Sequence, residues 1–242
     1  MRKPTVLILV PILLLLTACD VVRGTGNVIT EPRQVGHFNR VSMGGSGELA
    51  VTQGDEESLA IEADDNLLRH IQSEVKDGTL FLGIKGGNWS DRIQPTKRVK
   101  FNVIMKQIAG LDLSGSGSIR ASRITTQDLD IDVSGSGDVT ISSLTAQKLD
   151  VGLSGSATCA FSGGKVSRQG IDISGSGQYR APKLESQTVD ATISGSGHAT
   201  VWAEESLSVN ISGSGEVDYF GSPGKITKKV SGSGSINGRG NP

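Results

Sequence analysis

Cysteine is nearly absent from this chain: 2 in 242 residues, Cys19 and Cys159. Cys19 sits where processing would modify it, which leaves Cys159 without a partner and excludes disulfide stapling. Aromatic residues make up 4% of the sequence, too few for a conventional core of Phe, Tyr and Trp. Neither sign of charge is in excess. The net charge is -1, and loss of Arg2 and Lys3 would leave 22 basic residues against 25 acidic ones, which is not a nucleic-acid binder's balance. The 3 histidines, His37, His70 and His198, lie in unrelated contexts, and no Ser-His-Asp arrangement can be placed around them. Zinc-ligand spacings are missing, and Gly24-Thr25-Gly26 opens no helix as a phosphate-binding loop would. What the chain has instead is glycine, 33 residues of it, much of it beside serine.

Long apolar runs are also lacking, apart from Thr5 to Leu16. That run of about a dozen residues is shorter than the roughly 20 a helix needs to span a bilayer. Behind Arg2 and Lys3 it reads as a secretory signal over residues 1–18. Leu16-Thr17-Ala18-Cys19 resembles a bacterial lipobox. The resemblance implies cleavage before Cys19, acylation of that residue, and a lipidated tether over residues 19–27. The covalent lipid is then the one non-protein group expected, and the membrane the first partner, because several acyl chains together hold firmly. Asp20 resembles an inner-membrane retention signal, but the inner membrane, the outer membrane and the cell surface all stay open.

Ser-Gly-Ser-Gly begins at residues 114, 134, 174, 194, 212 and 231, with SGSA at 154 and GGSG at 44. From 114 onward the steps are 20, 20, 20, 20, 18 and 19 residues, a period no flexible linker would keep. Counting each first serine as zero, apolar residues recur at offset -3 (Leu111, Ile131, Val151, Ile171) and offset -1 (Leu113, Val133, Leu153, Ile173). They recur again at +5 (Ile119, Val139, Cys159, Tyr179) and +7 (Ala121, Ile141, Phe161, Ala181). Strand side chains alternate with period two, so these odd offsets share one face and the serines share the other. Both glycines of the motif, at +1 and +3, fall in phase with the buried columns and are expected either to face inward where the coil is too narrow for a Cβ or to make its sharp corner.

Each repeat is too short to bury its apolar face alone, and stacking supplies the core. The fold class is therefore all-β: a right-handed parallel β-helix with rungs of about 20 residues, equivalent residues lying ~4.8 Å apart. A β-sandwich would need regular hairpin turns, and no Asn-Gly or Asp-Gly recurs in each repeat. Residues 106–242 form the regular coils, with 236–242 reading as a frayed polar end. Residues 28–105 form an irregular β-rich part carrying one short helix over DDNLLRHI (64–71), with Asp64 or Asp65 as its N-cap. GTLFLGI (78–84) reads as a strand and residues 86–97 as a loop. A degenerate rung starting at Gln94 would put Val99 at +5 and Phe101 at +7.

The SGSG ladder, Phe38-Asn39-Arg40-Val41, DNLLRHI and DGTLFLGI together resemble the bacterial head GIN domain proteins, described as auto-transporter adhesins. The resemblance covers most of the chain after Cys19 and implies a β-helical fold and an adhesin-like role. An autotransporter would also need a membrane barrel of strands of ~10 residues, and none follows the last repeat.

Candidate sites lie on the outward face. Asp112, Asp132 and Asp172 precede successive motifs by two residues and are the candidate ligands for Ca²⁺, against a solvated acidic face with side chains splayed apart. Ser114, Ser134, Ser174 and Ser194 belong to one of two outward hydroxyl rows suited to a sugar, a peptidoglycan strand or ice. Trp89, in a loop with Asn88 and Arg92, is a candidate for carbohydrate stacking. Cys159 falls in an inward column, as a buried structural thiol would. Together these features suggest a non-catalytic, lipid-anchored envelope protein, an adhesin-like or scaffold module binding a glycan or a protein along its ladder face. The alternatives are a polysaccharide-processing β-helix enzyme and a purely structural or regulatory lipoprotein. Rungs of 18 to 20 residues leave no long loops for the groove such an enzyme needs.

Overall fold

The computed structural model describes residues 21–85 and 93–241. Cys19 and Trp89 lie outside them, as does the signal segment. The chain is an all-β, parallel stacked solenoid of about 6 turns with an irregular β-rich N-terminal part.

The irregular part comprises β1 (Val22–Arg23), β2 (Val28–Arg33), β3 (Arg40–Gly45), β4 (Glu48–Gln53), β5 (Ser58–Asp64), β6 (Ile71–Lys76), β7 (Thr79–Ile84), β8 (Ile93–Gln94) and β9 (Lys100–Met105). The repeats follow as β10 (Gly110–Gly115), β11 (Ser118–Thr125), β12 (Asp128–Gly135), β13 (Asp138–Gly155), β14 (Thr158–Phe161), β15 (Gly164–Gly175) and β16 (Gln178–Arg180). The last turns are β17 (Leu184–Gly195), β18 (His198–Trp202), β19 (Ser206–Gly213), β20 (Glu216–Phe220), β21 (Lys225–Gly232) and β22 (Ser235–Gly238).

Parallel pairing keeps the repeats in register. Ser134 pairs with Ser114 on one side and Ser154 on the other, and Leu113, Val133 and Leu153 stack beneath them. The apolar columns at -3, -1, +5 and +7 are buried through the middle of the stack, and each such side chain contributes roughly 1.5–3 kcal/mol by leaving water. The alternation does not run unbroken around the coil. After +7 the chain turns a corner, and an even offset, +10, becomes the buried one at Ile124, Leu144 and Leu184.

The two motif glycines divide the two expected roles between them. Gly137, at +3, is buried, and a Cβ there would lie 2.5 Å from Leu113 Cδ2. Gly135, at +1, is exposed with φ 108, and its Cβ would meet the Gly115 carbonyl oxygen at 2.6 Å. That carbonyl accepts the N–H of Ser136 at 2.9 Å. The +1 glycine thus makes the left-handed corner that lets backbone hydrogen bonds continue from rung to rung through the bend. Ala157 replaces a glycine at +3, the position with ordinary φ, and is fully buried. By the register seen at Gly137 the residue beneath it is Val133, smaller than the Leu or Ile found beneath most other motifs.

The irregular part is interleaved. β3 pairs with β7 and with β10, while β4 pairs with β9 and with β11. The rung of residues 40–53 therefore lies between a rung made later, β7 with β9, and the first regular rung. Antiparallel strands close this end: β5 lies between β9 and β2, and β6 pairs with β7. The register also corrects the degenerate rung. Phe101 pairs with Leu49 at +5 and Val103 with Val51 at +7, two residues later than the sequence spacing suggested. The pairing of β9 with antiparallel β5 is what anchors this register, and no motif announces it.

The expected short helix is a single 3-10 turn, Leu68–His70, with no side-chain cap; Ile71 already opens β6. Asp64 instead accepts hydrogen bonds from Gly26 N–H (2.8 Å), Thr96 N–H (2.9 Å) and Thr96 Oγ1 (2.7 Å). Asp65 accepts from Thr25 Oγ1 and Asn27 Nδ2, and Asn66 Nδ2 donates to the Arg23 carbonyl. The described part of the expected tether is thus clasped to the head, and Val22–Arg23 pairs in parallel with Ile93–Gln94.

The far end is finished differently. β21 is exposed along its whole length, with Ile226 and Val230 about two-fifths exposed. Lys228 pairs with Val209 and so stands in an inward apolar column, its Nζ 5.2 Å over the Tyr219 ring. Residues 236–238, the start of the stretch expected to fray, belong to β22 and pair with β20.

Candidate functional site

The outward face of the coil carries the candidate residues. Ser114, Ser134, Ser154, Ser174, Ser194, Ser212 and Ser231 are register partners on consecutive rungs, forming one straight, exposed hydroxyl row. Ser116, Ser136, Ser156, Ser176, Ser196 and Ser214 form a second exposed row two residues on, across the glycine corner. Ser114, Ser134, Ser174 and Ser194 therefore lie on one line, with rungs ~4.8 Å apart. The glycines between the rows bring the backbone itself to the surface, so the strip is shallow and free of bulky side chains.

The acidic columns are spaced by glycine. Asp112 pairs with Asp132, but Asp132 pairs next with Gly152, which separates it from Asp172 by two rungs. A Cβ on Gly152 would lie 2.4 Å from Asp132 Oδ1, so this carboxylate leans over the glycine into the space it leaves. Asp150 leans over Gly170 in the same way, 2.5 Å from the position of its Cβ. Where two aspartates do stack, charge is managed locally. Burial pushes the Asp112 carboxyl above its ordinary pKa, Arg40 pulls it down, and Asp132 and Asp130 push it up, leaving it raised.

The three histidines stay apart in role. His37 contacts Glu57 at 2.8 Å, His70 accepts from Arg69 at 3.1 Å, and His198 faces Glu216 and Asp218. Cys159 is fully buried, and burial alone pushes its thiol far above the ordinary value, so it stays protonated and inert.

A buried polar cluster escaped the sequence reading. Tyr179 donates to Gln169 Oε1 at 2.8 Å, while Gln169 Nε2 bonds Ser186 Oγ and the Leu184 carbonyl. All three side chains are buried inside the coil, with the Phe161 ring 5.8 Å from that of Tyr179. The signal was present: Gln169 interrupts the -5 column between Leu149 and Val189, and Tyr179 interrupts +5 one turn of strand later in the same rung. Their hydrogen bonds are satisfied mutually, which is the condition for tolerating polar groups there.

Known proteins share this architecture. A "putative adhesin" from Bacteroides fragilis is 30% identical, covering 90% of this chain and 99% of its own, with a TM-score of 0.83. A "putative lipid binding protein" from Parabacteroides distasonis is 27% identical over 90% of this chain and 99% of its own, with a TM-score of 0.76. A "putative adhesin" from the same species, at 23% identity, 90% and 100% coverage and a TM-score of 0.73, shares the fold. Comparison with curated proteins finds no match. Residues 37–223 match the family described as "Putative auto-transporter adhesin, head GIN domain". These residues span the head from just before β3 and nearly all the repeats, and the chain belongs to the head GIN domain family of adhesin-like proteins.

Proposed function

We propose that this chain is a non-catalytic, lipid-anchored envelope protein that binds a linear glycan, such as a cell-wall strand, along its serine rows. The observation that carries this reading is the registered hydroxyl row from Ser114 to Ser231, partnered rung to rung and exposed throughout. A straight array of donors and acceptors at a fixed spacing suits a ligand that also repeats along a line. A polysaccharide satisfies that and a globular protein surface does not. The family description supports an adhesin-like role and suggests a cell-envelope or surface location. Anchoring rests on the lipobox at Cys19, and Trp89 remains the candidate for carbohydrate stacking that the sequence offers.

The test is co-sedimentation of the protein with purified peptidoglycan and with insoluble polysaccharides. Binding should weaken by roughly tenfold when Ser134, Ser174 and Ser194 are replaced together by Asp, because like-charged carboxylates would replace the hydroxyl contacts. Undiminished binding by that variant, or no glycan bound by the wild type, would refute the ladder as the site. Separately, Cys19→Ala should abolish palmitate labelling in cells; continued labelling would remove the anchor from the proposal.

A further inference from the structure

We propose that His198, Glu216 and Asp218 form a binding site for a divalent transition-metal ion of the Zn²⁺ class, at the last turns of the coil. His198 and Glu216 are register partners on adjacent rungs, and Asp218 pairs with Thr200, two residues along the same strands. All three point outward from rigid β backbone. One ligand atom from each lies within 4.8 Å of the others. Imidazole Nδ1 is 3.6 Å from Glu216 Oε2, and Nε2 is 3.9 Å from Asp218 Oδ2. Ligand atoms held ~2.1 Å from a tetrahedral ion lie about 3.4 Å from one another, so closure needs shifts that partly exposed side chains can make.

The surroundings orient these groups. Asn237 Nδ2 donates to Glu216 Oε1 at 2.8 Å and to Asp218 Oδ1 at 3.1 Å. Glu216 is thus held by Oε1 and turns Oε2 toward imidazole Nδ1, whereas Asp218 is gripped at both oxygens by Arg239, and its Oδ2 is released to an ion only when that guanidinium leaves. On the ring, Nε2 is 3.1 Å from Thr200 Oγ1, so an Nε2–H donated there leaves Nδ1 free to bind an ion beside Glu216. Metal sites use such outer partners to fix ring tautomer and ligand direction. The chemistry of the set selects the ion. An imidazole nitrogen with two carboxylates suits Zn²⁺ or its first-row neighbours, whereas Ca²⁺ takes oxygen ligands.

Arg239 is the internal competitor. Its guanidinium contacts Asp218 Oδ1 at 2.9 Å and Oδ2 at 3.1 Å, and reaches Glu216 Oε1 at 3.7 Å. It supplies the positive charge that a bound cation would otherwise supply, and it lies beyond the last strand, where it can swing away.

The untagged full chain is titrated with Zn²⁺ by calorimetry and by competition with a chelator. One ion should bind per chain. His198→Ala and Asp218→Asn should each weaken binding by roughly tenfold or more, while Arg239→Ala should tighten it and Asp190→Asn, at an exposed carboxylate elsewhere on the coil, should leave it unchanged. Co²⁺ in the same site should give a visible absorption band that His198→Ala removes. Metal-free melts of the variants, all altered at the surface, report that the fold is intact. Absence of saturable Zn²⁺ binding by the wild type, or wild-type affinity in folded His198→Ala, would overturn the site.

Discussion

Arg40 and Asp130 form an ion pair of 3.0 Å although 90 residues separate them, and the guanidinium crosses a whole rung to make it. It crosses at Gly110, where a Cβ would lie 2.4 Å from Arg40 Cζ. Gly110→Ala should therefore push Arg40 off Asp130. Both partners are partly exposed, so the loss should be no more than about 1 kcal/mol. The informative quantity is the coupling: Arg40→Ala should cost less in the Gly110→Ala background than alone. Additive costs in urea unfolding would show that the glycine does not serve the ion pair.

The motif glycines should separate in the same assay. Gly135→Ala places a methyl against a backbone carbonyl at φ 108 and should cost about 2–4 kcal/mol. Gly137→Ala meets chiefly the Leu113 side chain, with Cδ2 at 2.5 Å, and the Gly117 carbonyl oxygen less closely at 3.1 Å, and should cost about 1–3 kcal/mol. Adding Leu113→Val should recover part of that second loss, reproducing the Ala157 and Val133 arrangement. Equal costs at the two positions, or no recovery, would contradict the assignment of corner and core.

The clasp at Asp64 should appear in the acid limb of stability. Burial pushes this carboxyl up, but hydrogen bonds from the Thr96 hydroxyl and N–H and from Gly26 N–H outweigh it, and its pKa lies below the ordinary value of 3.8. A carboxyl bound more weakly by protons in the folded state stabilises it above the unfolded pKa. That contribution is lost as pH falls from about 3.8 through the lower folded value. Asp64→Asn should destabilise the protein at neutral pH and shrink the difference from wild type as the medium is acidified through that range. A constant difference across pH would mean that the charge contributes nothing.

Lys228 should keep the far end of the coil monomeric. An open parallel edge with exposed Ile226 and Val230 is a template for further pairing, and a charged residue in the apolar column opposes it. Lys228→Val should promote concentration-dependent self-association in sedimentation velocity. A variant that sediments as the wild type does would assign the blocking role elsewhere.

The repeat made most of this fold readable. Period, inward columns and outward serines follow from spacing alone because one rung's pattern is confirmed by the next. The head offered no such redundancy. There, Asp64 was available as a helix cap by its position, but its carboxylate goes to Thr96, 32 residues away, a contact that no local pattern encodes. Spacing left both motif glycines open to the inside or the corner, and only the backbone, with its positive φ at Gly135 and ordinary φ at Gly137, assigns +1 to the corner. His198 and Glu216 share offset +4 on adjacent rungs, so their meeting was legible; a lone histidine drew attention away from its column.

The placement of β3 and β4 between a later rung and the first regular one bears on the order of events as the chain is made. Synthesis delivers residues 40–53 first, yet one of their neighbours ends at Met105 and the other at Thr125. Chains fold as their N-terminal parts appear, but here β3 gains β7 only after Ile84, β4 gains β9 only after Met105, and the regular rung on their other side is complete only at Thr125, about half the polypeptide. A nascent chain that ends before Lys100 therefore leaves residues 48–53 without either of their lateral neighbours.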